Sequence, residues 1–147
     1  MSVKFQIVVD VRDPLRESTF WSQALGYQFE PPPLGYSSWS AYWTKVGVPP
    51  EDRFEGPDSI VDPSSGGPRI WFHVVEEPKV CKNRLHFDLR VGGGIDVPMQ
   101  LRMARVEAEV SRLRDLGARR LETLTIEGMD HYAVAMEDPE GNEFDVN

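Results

Sequence analysis

Near the C-terminal end, Glu143-Phe144-Asp145-Val146 alternates carboxylates with apolar side chains. Period-two alternation is the mark of a half-buried strand, so Glu143 and Asp145 share one face and Phe144 and Val146 the other. Asp138-Pro139-Glu140-Gly141 leads into it. In such a turn proline fixes φ at the second position, and glycine supplies the left-handed conformation of a tight return. If the acidic face lines a pocket, this strand delivers a carboxylate that can hold a cation or move a proton. The plainer alternatives are that Glu143 pairs with a cation such as Arg90 and that His86, on an earlier strand, is a hydrogen-bonded interior histidine.

Other reactive or recognition-competent side chains carry weaker signals. Trp39 and Trp43, with Ala41 between them, share a face if residues 38–46 form a strand. Aromatics at period two make a core or, in an open barrel, the wall of a pocket. His73 reads as a pocket-lining residue. His131, after Gly128-Met129-Asp130, reads as solvated or as part of a pocket rim. Cys81 has Lys79 and Lys82 beside it, which would lower a thiol pKa, but no base stands at a spacing that makes it a nucleophile. As the single cysteine it rules out an internal disulfide and a cysteine-cluster zinc site.

These side chains need a scaffold, and the pattern supplies one twice. Residues 3–9 read as a strand. Asp13 before Pro14 is an N-cap followed by proline at the first helical position. The helix carries the pairs Phe20/Ala24 and Trp21/Leu25, and Gly26 ends it. Strands follow over 27–30 and 38–46, joined across Pro31-Pro32-Pro33. Residues 47–69 read as a loop rich in proline, glycine and acids, mobile and close to the pocket mouth, with a proline content that argues against strands within it. A strand over 70–75 closes the half. The second half repeats the order: a strand over 85–91, the Gly92-Gly93-Gly94 loop, and a helix over 98–116. That helix bears Met99, Met103, Val106, Val110 and Leu113 on one stripe. Gly117 then stops it, and strands follow near 119–126, 131–137 and 142–147. The fold class is therefore α+β: two βαβββ modules, about 1–79 and 80–147, within one domain spanning 1–147. They form an open mixed β-sheet or barrel with the helices outside.

The 147 residues suffice for one ordinary domain with a real core. A net charge of −8 argues against nucleic acid or an anionic membrane surface as partner. The apolar run over 5–9, broken by Gln6, is too short for a signal peptide or a transmembrane helix, so a cytoplasmic protein is the expectation.

The layout resembles the vicinal oxygen chelate superfamily, which includes glyoxalases, bleomycin-resistance proteins and extradiol dioxygenases. Asp10-Val11-Arg12-Asp13-Pro14, with Phe20-Trp21 and Leu25-Gly26-Tyr27, looks like the first strand–helix unit of glyoxalase-like domains. Lys82-Asn83-Arg84-Leu85-His86-Phe87-Asp88-Leu89 looks like their fifth strand, and Asp138-Pro139-Glu140-Gly141-Asn142-Glu143-Phe144 like the approach to their last. The likeness spans essentially the whole chain. It implies a metal held by residues on the first, fourth, fifth and eighth strands, positions filled here by Gln6, Trp71, His86 and Glu143. Trp71 cannot bind a metal, and His73, two residues on, would substitute only if the register shifts.

An amide oxygen, an imidazole and a carboxylate together suit a divalent Zn, Ni, Mn, Mg or Fe ion. Gln6 in place of a second histidine turns the reading from oxygen activation at iron towards Lewis-acid work on a carbonyl. Glu143, or Asp88 nearby, would then move the proton. Trp39, Trp43, Trp71, His73 and Asp88 are the candidate pocket residues. Two functions stay open: a metal-dependent lyase or isomerase acting on a small carbonyl-containing substrate, and a metal-free protein that sequesters a cationic or planar ligand in the manner of drug-resistance members. In both the partner is a small molecule, and a homodimer is compatible with either.

Overall fold

The computed structural model describes residues 3–54 and 56–147. The chain divides into two compact units, Met1–Glu76 and Glu77–Asn147.

In the first unit β1 (Gln6–Val11) leads into α1 (Pro14–Leu25). Asp13 caps the helix by accepting from the Arg16 amide at 3.0 Å, and Gly26 ends it at φ 69°, the left-handed conformation of a C-cap. Strands β2 (Gln28–Phe29), β3 (Ser59–Val61) and β4 (Arg69–Val74) complete a four-stranded sheet in the order β1-β4-β3-β2. Strand β1 runs parallel to β4, and the other pairs are antiparallel. Helix α1 lies against β2, β3 and β4. Phe20 and Trp21 of the helix are buried, as are Ile60, Ile70 and Phe72 of the sheet, each side chain contributing roughly 1.5–3 kcal/mol by its burial. Alternation along β4 then turns Arg69, Trp71 and His73 to the opposite face. There the parallel ladder sets Gln6 beside Arg69, Val8 beside Trp71 and Asp10 beside His73.

Two expectations for this half fail. Residues 38–46 are not a strand: Trp39–Val46 is a helix, α2. Ser38 caps it by accepting from the Ala41 amide at 3.1 Å, and Gly47 at φ 80° closes it. The aromatic content suggests β structure, but the capping residues at both ends decide the conformation. The 47–69 stretch also holds a 3-10 turn, Pro50–Asp52, and strand β3, so proline there did not exclude a strand. The prolines lie outside the three paired residues. The βαβββ order survives, with α2 inserted between β2 and β3.

The second unit comprises β5 (Asp88–Leu89), α3 (Met99–Asp115), β6 (Arg119–Thr125), β7 (Tyr132–Glu137) and β8 (Glu143–Val146), with sheet order β5-β8-β7-β6. The predicted strand over 85–91 pairs only at Asp88 and Leu89. Helix α3 lies against β6, β7 and β8. Val106, Val110 and Leu113 are buried with Val134, Met136, Phe144 and Val146, while Met103, the second residue of the predicted stripe, is exposed. Phe144 and Val146 face this core, so Glu143 and Asp145 occupy the other face of the sheet. No helix among the described residues is long and apolar enough to cross a membrane.

Candidate ligand cavity and metal-ligating residues

The face of β4 that carries Arg69, Trp71 and His73 and the face of α2 that carries Trp39 and Trp43 line one cavity of about 560 Å³. In a helix, residues four apart stand one above the other. Trp39 and Trp43 accordingly stack with ring centroids 5.2 Å apart and planes inclined at 25°. The Trp39 indole N–H donates to the Glu30 carbonyl at 2.9 Å, tying α2 to the end of β2. On the sheet side, the Trp71 ring lies 4.9 Å from the His73 ring, and its N–H donates to Asp58 Oδ2 at 3.0 Å. His73 Nδ1 is 3.0 Å from Asp10 Oδ1.

Arg69 is fully engaged. Its Nε reaches both Glu30 carboxylate oxygens at 2.9 Å, and its Nη2 reaches Glu30 Oε2 at 2.6 Å. Nη2 also donates to Ser59 Oγ, and Nη1 donates to Gln6 Oε1, each at 2.8 Å. Glu30 therefore neutralises the one arginine of the cavity wall, in the bidentate geometry that favours such pairs. The carboxylates of Asp52 and Asp58, which also line the cavity, set its charge. The result is an aromatic, electronegative space.

In the second unit the acidic face of β8 holds two carboxylates in different circumstances. Glu143 accepts from Lys79 Nζ at 2.9 Å and from the Asn83 amide at 3.0 Å, and the Glu143 amide donates back to Asn83 Oδ1 at 3.2 Å. Burial pushes this carboxyl up, but the Asn83 N–H and Lys79 outweigh it and hold the group at about 2, against an ordinary 4.5. Asp145 moves the other way. Burial and then the Asp88 carboxylate raise it, offset in part by His86, Lys82 and His131. Asp88 and Asp145 are register partners across the parallel pair of β5 and β8. His86 Nδ1 lies 3.2 Å from Asp88 Oδ1 and 3.9 Å from Asp145 Oδ2.

Five of the residues singled out from sequence, Gln6, Trp39, Trp43, Trp71 and His73, line the one cavity, with the tryptophan pair presented by a helix instead of a strand. Asp88 lies in the second unit beside His86 and Asp145, and Glu143 stands with Lys79 and Asn83. As metal ligands, Gln6 and Glu143 would each have to give up a cationic partner, and the Trp71 N–H already donates to Asp58. Arg69, Asp58 and Asp10 stand among these groups without having been expected there from the sequence. Arg69 was findable, since it sits two residues before Trp71 and so shares its face. Asp58, next to Pro57 in a stretch that reads as loop, gave no signal.

A family model for a glyoxalase-like domain matches residues 6–147. No curated protein sequence matches the chain. Among solved structures, a glyoxalase/bleomycin resistance protein/dioxygenase family enzyme from Burkholderia phytofirmans aligns at TM-score 0.56 and 18% identity, covering 97% of this chain and 94% of that one. The fosfomycin resistance protein FosX from Listeria monocytogenes aligns at TM-score 0.59 and 11% identity, covering 99% and 92%. A variant of that FosX, in complex with Mn(II) and a dihydroxypropylphosphonic acid, aligns at TM-score 0.58 and 13% identity, covering 100% and 90%. At such identities the likeness shows a shared fold.

Proposed function

The chain belongs to the glyoxalase-like domain family, and we propose that it acts as a small-molecule binding protein whose first unit takes up a planar organic cation. The observation that carries this reading is the cavity of about 560 Å³ with the stacked Trp39/Trp43 pair, Trp71 and His73 as its aromatic walls and Asp52 and Asp58 as its carboxylates. The volume suits a small organic molecule. Aromatic stacking adds about 0.5–1.5 kcal/mol beyond area burial, and a cation over an indole adds about 2 kcal/mol when desolvated. Glu30 neutralises Arg69, so the Arg69 guanidinium does not oppose a positive ligand. Tryptophan emission tests the proposal, because three of the four tryptophans line the cavity and Trp21 lies in the core. N-methylquinolinium is expected to quench the wild type saturably and to bind Trp43→Ala at least about tenfold more weakly, a loss of some 1.4 kcal/mol. Equal binding by the two proteins would count against the cavity as the site.

A second reading has one observation in its favour, the placing of His86 beside two carboxylates. On that reading the protein is a lyase or isomerase acting on a small carbonyl compound, with a divalent ion as Lewis acid and Glu143 moving the proton. A general base works best with a pKa near the operating pH, and Glu143, held at about 2 by Asn83 and Lys79 against the effect of burial, is a weak base at neutral pH. Glu143 would also have to give up Lys79 and the Asn83 amide to take part, and the built aromatic cavity of the first unit asks for no such change, so the binding function stands first.

A further inference from the structure

We propose, resting on the reading of the cavity as a site for planar cations, that it favours those that donate hydrogen bonds, aryl amidinium ions above all, and that the buried Ser59 hydroxyl positions the carboxylate that selects them. A guanidinium has donors and no acceptor, and a hydroxyl has one proton. Arg69 Nη2 donates to Ser59 Oγ at 2.8 Å, so the single Ser59 proton is left for Asp58 Oδ1, 2.9 Å away. The Trp71 indole N–H, which has no acceptor role, donates to Asp58 Oδ2 at 3.0 Å. The chain of hydrogen bonds therefore has one polarity, from Arg69, itself fixed by Glu30, through Ser59 to Asp58. Both donors are set by strand pairing, since Ser59 and Trp71 are register partners on β3 and β4, and Ser59 is 3% exposed. The Asp58 backbone is held as well, its carbonyl accepting from the Phe72 amide at 2.7 Å. A carboxylate offers about four acceptor sites, and among the described residues these two donors fill one on each oxygen. One site per oxygen is left on a side chain that lines the cavity. A pair of N–H groups matches two carboxylate oxygens, as the fork of an arginine does, and an aryl amidinium carries such a pair on a flat ring system. A quaternary nitrogen has the charge but no N–H. Seated against Asp58 it would strip water from those two sites and put no donor in its place, which is costly.

The probes are 2-naphthamidinium and N-methylquinolinium, titrated calorimetrically into the full chain at the same salt concentration. Both are bicyclic aromatics with one positive charge, so long-range attraction and ring stacking are common to the two. The N–H groups are what differ. The expected result is an affinity at least about tenfold higher for the amidinium. Asp58→Asn is expected to remove that preference, and Ser59→Ala to cut it at least about threefold. Trp43→Ala should weaken both compounds and keep their ratio within about twofold. The ratio is the readout because a variant that merely loosens the cavity weakens both alike. Ser59→Ala leaves Arg69 Nη2 on Glu30 Oε2 at 2.6 Å, so it strands no charge. Far-ultraviolet circular dichroism checks that each variant is folded, and the wild-type comparison needs no variant at all. Equal affinity of the wild type for the two compounds overturns the proposal and leaves the cavity reading standing. So does a preference that survives Asp58→Asn or Ser59→Ala unchanged. Saturable binding of neither compound overturns the cavity reading and this proposal together.

Discussion

At the scale of single residues, the same face of β8 holds one carboxylate whose pKa is lowered and one whose pKa is raised. Glu143 has a lysine and a backbone amide as partners, and Asp145 faces burial and the Asp88 carboxylate, offset in part by His86, Lys82 and His131. The lowered Glu143 carboxyl has a consequence for stability. Its folded value lies below its unfolded one, so its contribution is fully present above about 4.5 and is lost as the pH falls towards about 2. Glu143→Gln removes the charge and keeps the shape. The variant is expected to melt below the wild type at neutral pH, by an amount equivalent to about 1–3 kcal/mol. The two melting curves should converge as the pH is lowered through that window. A difference that stays constant from neutral pH to the acid end of the window would show that the Lys79 and Asn83 contacts do not set this carboxyl.

At the scale of elements, α2 is the unusual member of the first unit, because it buries none of its residues completely and yet supplies two walls of the cavity. Its conformation rests on its ends. Ser38→Ala removes the N-cap and costs about 1 kcal/mol. Gly47→Ala places a side chain at φ 80° with open space around it, so the cost is backbone strain of about 1–2 kcal/mol. In either variant, faster amide hydrogen exchange is expected over residues 39–46, with β1 and β4 unchanged. Loss of protection throughout the first unit would mean that α2 is integral to the core. Helix α3 is the opposite case. Leu113→Ala is expected to lower stability by about 2–5 kcal/mol, because Leu113 is 0% exposed. Met103→Ala, at 37% exposure, should stay within about 1 kcal/mol in denaturant melts.

The legibility of these elements follows the same physics. Helix α1 could be placed to the residue because Asp13, Pro14 and Gly26 act locally, through caps that operate without the rest of the fold. The βαβββ repeat was legible for the same reason, since Gly26 and Gly117 mark the helix ends. Helix α2 was misread because Trp39, Ala41 and Trp43 fit period two as well as Trp39 and Trp43 fit period four, and only the Ser38 and Gly47 caps separate the two. Strand β3 was missed because three paired residues are too few for periodicity to register. Of the site, the aromatic lining was readable from residue type. The pairings of Arg69 with Glu30 and of Glu143 with Lys79 were not, since they join residues far apart in sequence and depend on strand order.

At the scale of the whole molecule, an acidic protein of net charge −8 attracts cations of every kind, so general charge must be separated from a shaped site. Long-range attraction is screened within about 10 Å at 0.1 M salt, whereas contacts inside a cavity persist. The most direct measurement is isothermal titration of the wild-type protein at 0.1 M salt or above with N-methylquinolinium and, in parallel, with methylnaphthalene, which has much the same shape and no charge. The expected result is one saturable site for the cation, an affinity about tenfold or more above that of the neutral compound, and loss of that preference in Asp58→Asn. Equal affinity for the two compounds, or no saturable binding of either, would contradict it.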